Sequence, residues 1–421
     1  MFKDLKIIKL VVIASFFVFI LQSSLSEFKV SNTFVSKGSF NLNEKIEFYI
    51  AANYTEEAKK IEIKDLWGNI LFDTLVHIEP NFELSKRSNI LSAGYPVNQN
   101  YRIENAPIDK SGIYEVEGVP FVVKSDQVTD ITIVYPFLNN HFFTKTDEGY
   151  FFNEKLTHLS LHRKVPIDEY TKGMSKQFAY LDSAYSTNYI TDIDLADKTS
   201  FADSKLLIIY GNSSFWTTEM RENVLDFYRS EGSILIITSK IFHTKLWEHE
   251  KDNIYKTTRL NEELNKQTLE PWEIEPKESA FLNIALTYRY GGGSRNILNS
   301  SYKILKKNSL LFDNVAVDFI PVEGKSFMGS LINLENEPPA AVDLKSFENP
   351  NVSKLSVEIL AYLECEGNYE NSNSGIFIVK QDSVDGEIIA LGTKDWCLKR
   401  NQENADIRQI TRNSIKYLLG K

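Results

Sequence analysis

"LLIIYGNSSFWTTEMRENVLDFYRSEGSILII", Leu206 to Ile237, decides the fold of the larger part of this chain. An unbroken apolar run leads through a short polar stretch and an aromatic pair into an amphipathic segment, then a second apolar run. Apolar runs without alternation are expected of strands buried on both faces, as in a parallel sheet covered by helices. The amphipathic segment offers Met220, Val224, Leu225, Phe227 and Tyr228 for burial, and Gly232 is expected to end the helix as a C-terminal cap. The helix is expected to start at Thr217 or Thr218, with Thr217 or Ser214 as its cap, because their oxygens accept exposed amide protons. Asn212-Ser213-Ser214 reads as a strand-to-helix turn. As a nucleophile site it lacks the Gly-x-Ser-x-Gly pattern and any His placed by sequence as its base.

The same rhythm extends to both sides. "ITIVYPF" (Ile131 to Phe137) is a buried strand, and "TKGMSKQFAYLDSAY" carries Met174, Phe178, Leu181 and Tyr185 at helical spacing. "NYITDIDLA" adds a short strand and a polar turn. Strands alternating with helices predict an α/β doubly wound unit over residues 128–421. Residues around 240–353 are irregular and are expected to form an insertion over the carboxyl edge of the sheet, where ligands bind in such folds. "SVEILAYLE", "GIFIVK" and "EIIALGT" return as strands, and "ADIRQITRNSIKYLLG" closes the chain as a helix.

Residues 27–127 read differently. "KIEFYIAAN", "KKIEIKDLWGNILFDTLVHI" and "GIYEVEGVPFVVKS" alternate apolar and polar residues, with "WGN" at Trp67 to Asn69 as a hairpin turn. This pattern predicts an immunoglobulin-like β-sandwich. Lys3, Lys6 and Lys9 precede an apolar run, Leu10 to Leu21, of 12 residues. That is shorter than the roughly 20 residues that span a bilayer, and small residues follow, so residues 1–26 read as a signal peptide cleaved near Ser26. An uncleaved anchor is the other reading. Export to the periplasm or the outside follows, with no stable membrane span after signal cleavage.

A chain of 421 residues accommodates two such domains. Its net charge of −10, with both signs interspersed, excludes general nucleic-acid binding, which needs a basic stripe. The two cysteines, Cys365 and Cys397, match no zinc spacing; a disulfide and two separate thiols both fit. His158 and His162 share a face of an extended segment, but a zinc pair there has no third ligand by spacing. Arg163, just after that stretch, is a candidate to orient an anionic or carbonyl group. His141, Phe142, Phe143, Tyr150 and Phe151 follow the first α/β strand, at the end of the sheet where ligands bind. "YRYGGGSR" has no lysine at a phosphate-loop offset and reads as a flexible loop.

Several of these pieces together resemble the C-terminal domain of the N,N-dimethylformamidase large-subunit family. That family has a strand, then Gly-His-x-Glu-Tyr-Trp, then a helix starting Thr-x-x-Met-Arg, then a glycine and a strand. Here Gly211, Trp216, Met220, Arg221 and Gly232 match. "GVPFVVKSD", "ITIVYP", "LSLHRKVP", "YITDIDL", "TKDWCLK" and "ITRNSIKYLL" follow in the family's order. The resemblance covers roughly Gly118 to Leu419 and implies a glutamine-amidotransferase-like α/β domain behind the sandwich. In the family's amidase, two tyrosines and a glutamate hold ferric iron, which activates water and polarises the amide carbonyl. Carried over residue by residue, the motif histidine falls on Asn212, the glutamate ligand on Ser214 and the adjacent tyrosine on Phe215. Tyr150 is the remaining candidate metal ligand.

The resemblance thus implies a lost iron site, with no other cofactor indicated. One functional expectation is an exported non-catalytic protein binding a small molecule or an envelope protein. The other is a C–N (amide) hydrolase with a rearranged site drawn from Tyr150, Arg163, Asn212 and Ser214, with His141 or His162.

Overall fold

A computed structural model describes residues 29, 31–81, 90–95, 97, 99–104, 106–144, 158–248, 253–256, 259–260, 268–269, 300–322, 331–333, 355–364, 372–381 and 384–420. Among them the chain is mostly β-sheet, in several sheets, with few helices. No helix among the described residues is long and apolar enough to cross a membrane.

The N-terminal part has two sheets. Strands β1 (Ser31–Val35), β3 (Ile46–Ala52) and β6 (Asn100–Ile103) form one. The other runs β2 (Ser39–Asn41), β8 (Val119–Lys124), β7 (Gly112–Val116), β4 (Glu56–Asp65) and β5 (Ile70–Ile78). Phe34, Phe40, Phe48, Ile61, Ile63 and Phe121 are buried in its core. Trp67 to Asn69 form the β4–β5 turn: the Asp65 carboxylate accepts from the Trp67 and Asn69 amides, both at 2.9 Å. A short helix, α1 (Ile90–Ala93), precedes β6.

In the C-terminal part, β11 (Thr187–Thr191), β9 (Ile131–Tyr135), β12 (Leu206–Trp216), β13 (Ser233–Lys245) and β23 (Val384–Ala390) lie side by side, all in parallel pairs. Every residue of β9 and β12 is buried. Helices α2 (Phe137–Phe143), α3 (Glu169–Ala184), α4 (Thr218–Arg229), α5 (Lys399–Gln402) and α6 (Ala405–Leu418) accompany these strands. Met174, Phe178 and Leu181 of α3 are buried, as their spacing predicts.

Three expectations change. The returning strands are not all parallel: beyond β23, strands β22 (Ser372–Gln381), β21 (Leu355–Glu364), β18 (Ser300–Ile304) and β19 (Phe319–Val322) are antiparallel, and β20 (Leu331–Asn333) pairs with β22. Described pieces of the segment expected to lie over the carboxyl edge therefore extend the sheet sideways instead. Elsewhere β10 (His158–Ser160), β14 (Trp247–Glu248) and β15 (Ile254–Lys256) make a small antiparallel sheet, and β16 (Arg259–Leu260) pairs with β17 (Thr268–Leu269). Second, Asn212 to Ser214 are not a turn. β12 continues through Trp216, with register shifts at Gly211/Ser213 and Ser213/Phe215, and Thr217 caps α4 by accepting from the Met220 amide. Third, Gly232 is not the left-handed residue that ends α4. Glu231 takes that conformation, at φ 75°, while a side chain on Gly232 would meet the Phe227 ring at 2.4 Å.

The two parts meet along a polar and aromatic seam. Ser39 Oγ donates to Asp194 at 2.7 Å, Lys124 Nζ to the same carboxylate at 3.1 Å, and the Ser125 amide to Asn188 Oδ1 at 2.8 Å. The His162 ring stacks on Phe34 at 5.4 Å.

Candidate functional site

Residues that leave the carboxyl ends of β9, β12 and β23 converge. Asn139 and Asn140 follow β9 on α2; Asn212 lies in the distorted end of β12; Lys394 and Asp395 follow β23. Asp168 caps α3, its Oδ1 accepting from the Tyr170 and Thr171 amides, both at 2.9 Å.

These side chains form one hydrogen-bonded chain of a single polarity. Lys394 Nζ donates to Asn212 Oδ1 at 3.0 Å, Asn212 Nδ2 to Asn140 Oδ1 at 3.1 Å, and Asn140 Nδ2 to Asp168 Oδ2 at 2.7 Å. An ammonium stands at one end, a carboxylate at the other, and two amides relay between them. Thr171 Oγ1 also donates to Asp168 Oδ2 at 2.7 Å and lies 3.0 Å from the Tyr210 hydroxyl. The ammonium sits over the Tyr170 ring at 4.9 Å and the Phe143 ring at 5.3 Å, contacts that favour a cation. Burial is the main influence lowering the Lys394 pKa, against the nearby Asp395, Asp168 and Glu169 charges. Burial likewise raises the Asp395 carboxyl to about 6 and pushes the Tyr135 and Tyr210 phenols well above their ordinary value.

A second network holds this end of the sheet in shape. Buried Asp192 accepts from the Leu138 amide at 2.8 Å, the Asn139 amide at 3.0 Å and Asn139 Nδ2 at 2.8 Å. Asn139 in turn donates to Phe215 O at 3.1 Å and accepts from the Phe215 amide at 2.8 Å. One carboxylate therefore fixes α2, and α2 fixes the irregular end of β12. Phe142 stacks on Phe215 at 4.0 Å.

The sequence-predicted residues are placed unequally. Asn212 lies in the cluster. Ser214 is buried one turn of the pleat further along β12. Arg163 is 1% exposed, its Nε donates to Ser160 O at 3.1 Å and its Nη2 to His141 O. A guanidinium bound to main-chain carbonyls clamps α2 to the β10 segment. His141 is buried, its ring nitrogens 2.8 Å from Phe137 O and 3.2 Å from Leu161 O. Burial, then the Arg163 charge, lowers its pKa to about 3. His162 belongs to the seam, with Nε2 3.2 Å from Asn253 Nδ2. Tyr150, Phe151, the Arg289–Ser294 loop and Cys365 lie outside the described residues; Cys397 is a buried free thiol.

Asn140, Asp168, Lys394 and Asp395 were missed by sequence reading. Asn140, Lys394 and Asp395 each follow closely on an apolar strand, a positional signal that Asp168, ahead of α3, lacks. A cavity of about 360 Å³ lies at the other end of the sheet, lined by Thr129, Asn188, Ser200 and Ser204 among others. It is remote from the cluster, whose convergent, perturbed groups are the stronger mark of a functional position.

The donor set around Asn212 does not fit the iron of the resembling family. Neutral amide and hydroxyl groups stand in for the histidine and glutamate, and the Lys394 ammonium is 3.0 Å from Asn212 Oδ1. Among the described residues no group of three or more His, Cys, Asp or Glu side chains could hold a metal ion.

Comparison with protein-family models finds no match, and neither does comparison with curated proteins. Among solved structures the chain is similar to the "mmIFT52 N-terminal domain", at 10% identity and a TM-score of 0.31, covering 59% of this chain and 90% of that one. A likeness at that level carries nothing over to this chain.

Proposed function

We propose that this chain is an exported, non-catalytic relative of the N,N-dimethylformamidase-like proteins, acting by binding a small molecule or an envelope protein. Its C-terminal part is then a doubly wound, amidotransferase-like unit. The strand order β11-β9-β12-β13-β23 supports this: taken in chain order it is 2-1-3-4-5, which places the switch point between β9 and β12, beside Asn140 and Asn212. An immunoglobulin-like N-terminal part is supported by the Tyr114 hydroxyl, which donates to Lys110 O at 2.9 Å as a tyrosine corner does.

The observation that carries the non-catalytic reading is the Lys394–Asn212–Asn140–Asp168 chain. The resembling amidase concentrates a hard cation and anionic ligands at its motif. Here an ammonium supplies the positive charge and two amides relay it to a carboxylate, so the position is already satisfied. The test is turnover of N,N-dimethylformamide and simple formamides by the mature chain after exposure to iron. The expected result is no turnover above the blank; turnover abolished by Asn212→Ala would contradict the proposal.

One observation favours an amide hydrolase instead. Adjacent Asp395 and Lys394 are perturbed in opposite directions, a pattern seen at acid–base sites. Under that reading the same assay gives turnover that is lost in Asp395→Asn.

A further inference from the structure

β5 ends its sheet in the order β2-β8-β7-β4-β5, and among the described residues no strand pairs with its outer side, where the Tyr101 hydroxyl reaches the His77 carbonyl. Edge strands are normally protected by lysine, proline or a covering element. β5, "ILFDTLVHI", contains neither lysine nor proline, and Leu75 is 66% exposed.

The backbone of β5 can be oriented from its neighbours. Glu62 of β4 uses its amide and carbonyl toward Glu117, on the side away from β5. The Glu62↔Asp73 pair is therefore not hydrogen-bonded across β4–β5, and Asp73 directs its own amide and carbonyl outward. The register shift between Glu56 and Lys59 puts the extra residue on β4, so β5 alternates regularly from Phe72 to Ile78. Leu75 and His77 then also direct theirs outward. The His77 carbonyl already accepts from Tyr101 on the other sheet, which agrees with that direction and leaves it one further lone pair for a second donor. Side chains follow the same parity: Asp73, Leu75 and His77 are exposed, while Phe72, Val76 and Ile78 face the core.

We propose that two copies of this chain pair through β5, antiparallel about Leu75, joining their sheets across a twofold axis. The register follows from charge and side-chain type. Pairing about Asp73 would set two carboxylates directly opposite, and pairing about Thr74 would set Asp73 against leucine. Pairing about Leu75 sets leucine against leucine and places Asp73 opposite the second copy's His77, twice by symmetry. On the core face the same register sets Thr74 against the second copy's Val76, and Phe72 against its Ile78. Asp73 is already paired with Lys60 at 2.9 Å, and His77 lies 3.4 Å from both Glu57 and Glu79, so acidic and basic side chains alternate across the joined face. The contact is isologous and closes at two copies.

The test is the mass of the mature chain in solution by light scattering, combined with cysteine cross-linking in a Cys365→Ser background. A dimer is expected, with Leu75→Lys at least tenfold weaker, because it sets like charges opposite. Leu75→Cys alone should form a covalent dimer on mild oxidation, since directly opposed residues fall within disulfide reach. Asp73→Cys alone should not, whereas Asp73→Cys combined with His77→Cys should. A monomeric wild type, including one whose β5 captures a different protein, overturns the proposal. So does a dimer that is indifferent to Leu75→Lys or is not cross-linked through position 75.

Discussion

Replacing Asn212 with alanine cuts the central chain at both ends. It removes the acceptor 3.0 Å from the Lys394 ammonium and the donor 3.1 Å from Asn140 Oδ1. A hydrogen bond to a charged group contributes about 1.5–3 kcal/mol and a neutral one about 1 kcal/mol, so the loss should be about 2.5–4 kcal/mol. Much of it reflects the partners left behind: Asn140 is buried, and Lys394 keeps its charge close to aromatic rings. Lys394→Met retains the aliphatic stem without the donor. A double-mutant cycle between the two positions should give a coupling of about 1–2 kcal/mol. Urea unfolding followed through buried Trp216 and Trp396 reports on this part of the molecule. A loss below about 0.5 kcal/mol for Asn212→Ala, or a coupling within about 0.3 kcal/mol of zero, would refute the view that these groups act as one network.

Other expectations test the framework around it. Gly173→Ala would place a methyl 1.9 Å from Cys397 O and 2.6 Å from Lys399 N, so thermal unfolding should reveal a loss of about 3 kcal/mol. Glu231→Gly relieves a left-handed backbone at φ 75° and should gain about 0.5–1 kcal/mol in the same measurement. Burial raises the Asp192 carboxyl to about 6, above its value in the unfolded chain. The folded state therefore holds that proton more tightly, and the associated stability is present below about pH 4 and lost as pH rises through about 6, on the order of 3 kcal/mol. Asp395, raised in the same sense, contributes with the same sign. Asp192→Asn should flatten that slope in denaturation curves taken from pH 4 to 7; an unchanged slope would count against the assignment.

What could be read from sequence follows from periodicity. The apolar runs at Ile131, Leu206 and Ser233 admit little besides buried strands, and the Met174–Phe178–Leu181 spacing little besides a helix, so those elements stand where expected. The polar stretch after Tyr210 misleads because serine and asparagine usually signal turns. Here the Asp192–Asn139 network supplies partners for the Phe215 backbone, and the strand continues. Gly232 misleads in the same way: a glycine after a helix suggests a left-handed cap, but here it gives room to Phe227. The site was legible only at Asn212. Asp168, Asn140 and Lys394 are distant in sequence and meet only once three strands align their carboxyl ends, which no local spacing encodes. Arg163 had the right chemistry at the right depth, but neighbouring carbonyls claim its guanidinium.

Under the proposed reading, the Lys394 ammonium and the Asn212 and Asn140 amides stand where a resembling amidase would hold iron. The most direct test is elemental analysis of the purified protein after exposure to ferric iron and to zinc, alongside Tyr150→Phe and Lys394→Met. Substoichiometric metal is expected in all three proteins. Near-stoichiometric metal in the wild type that is lost in Tyr150→Phe would contradict it.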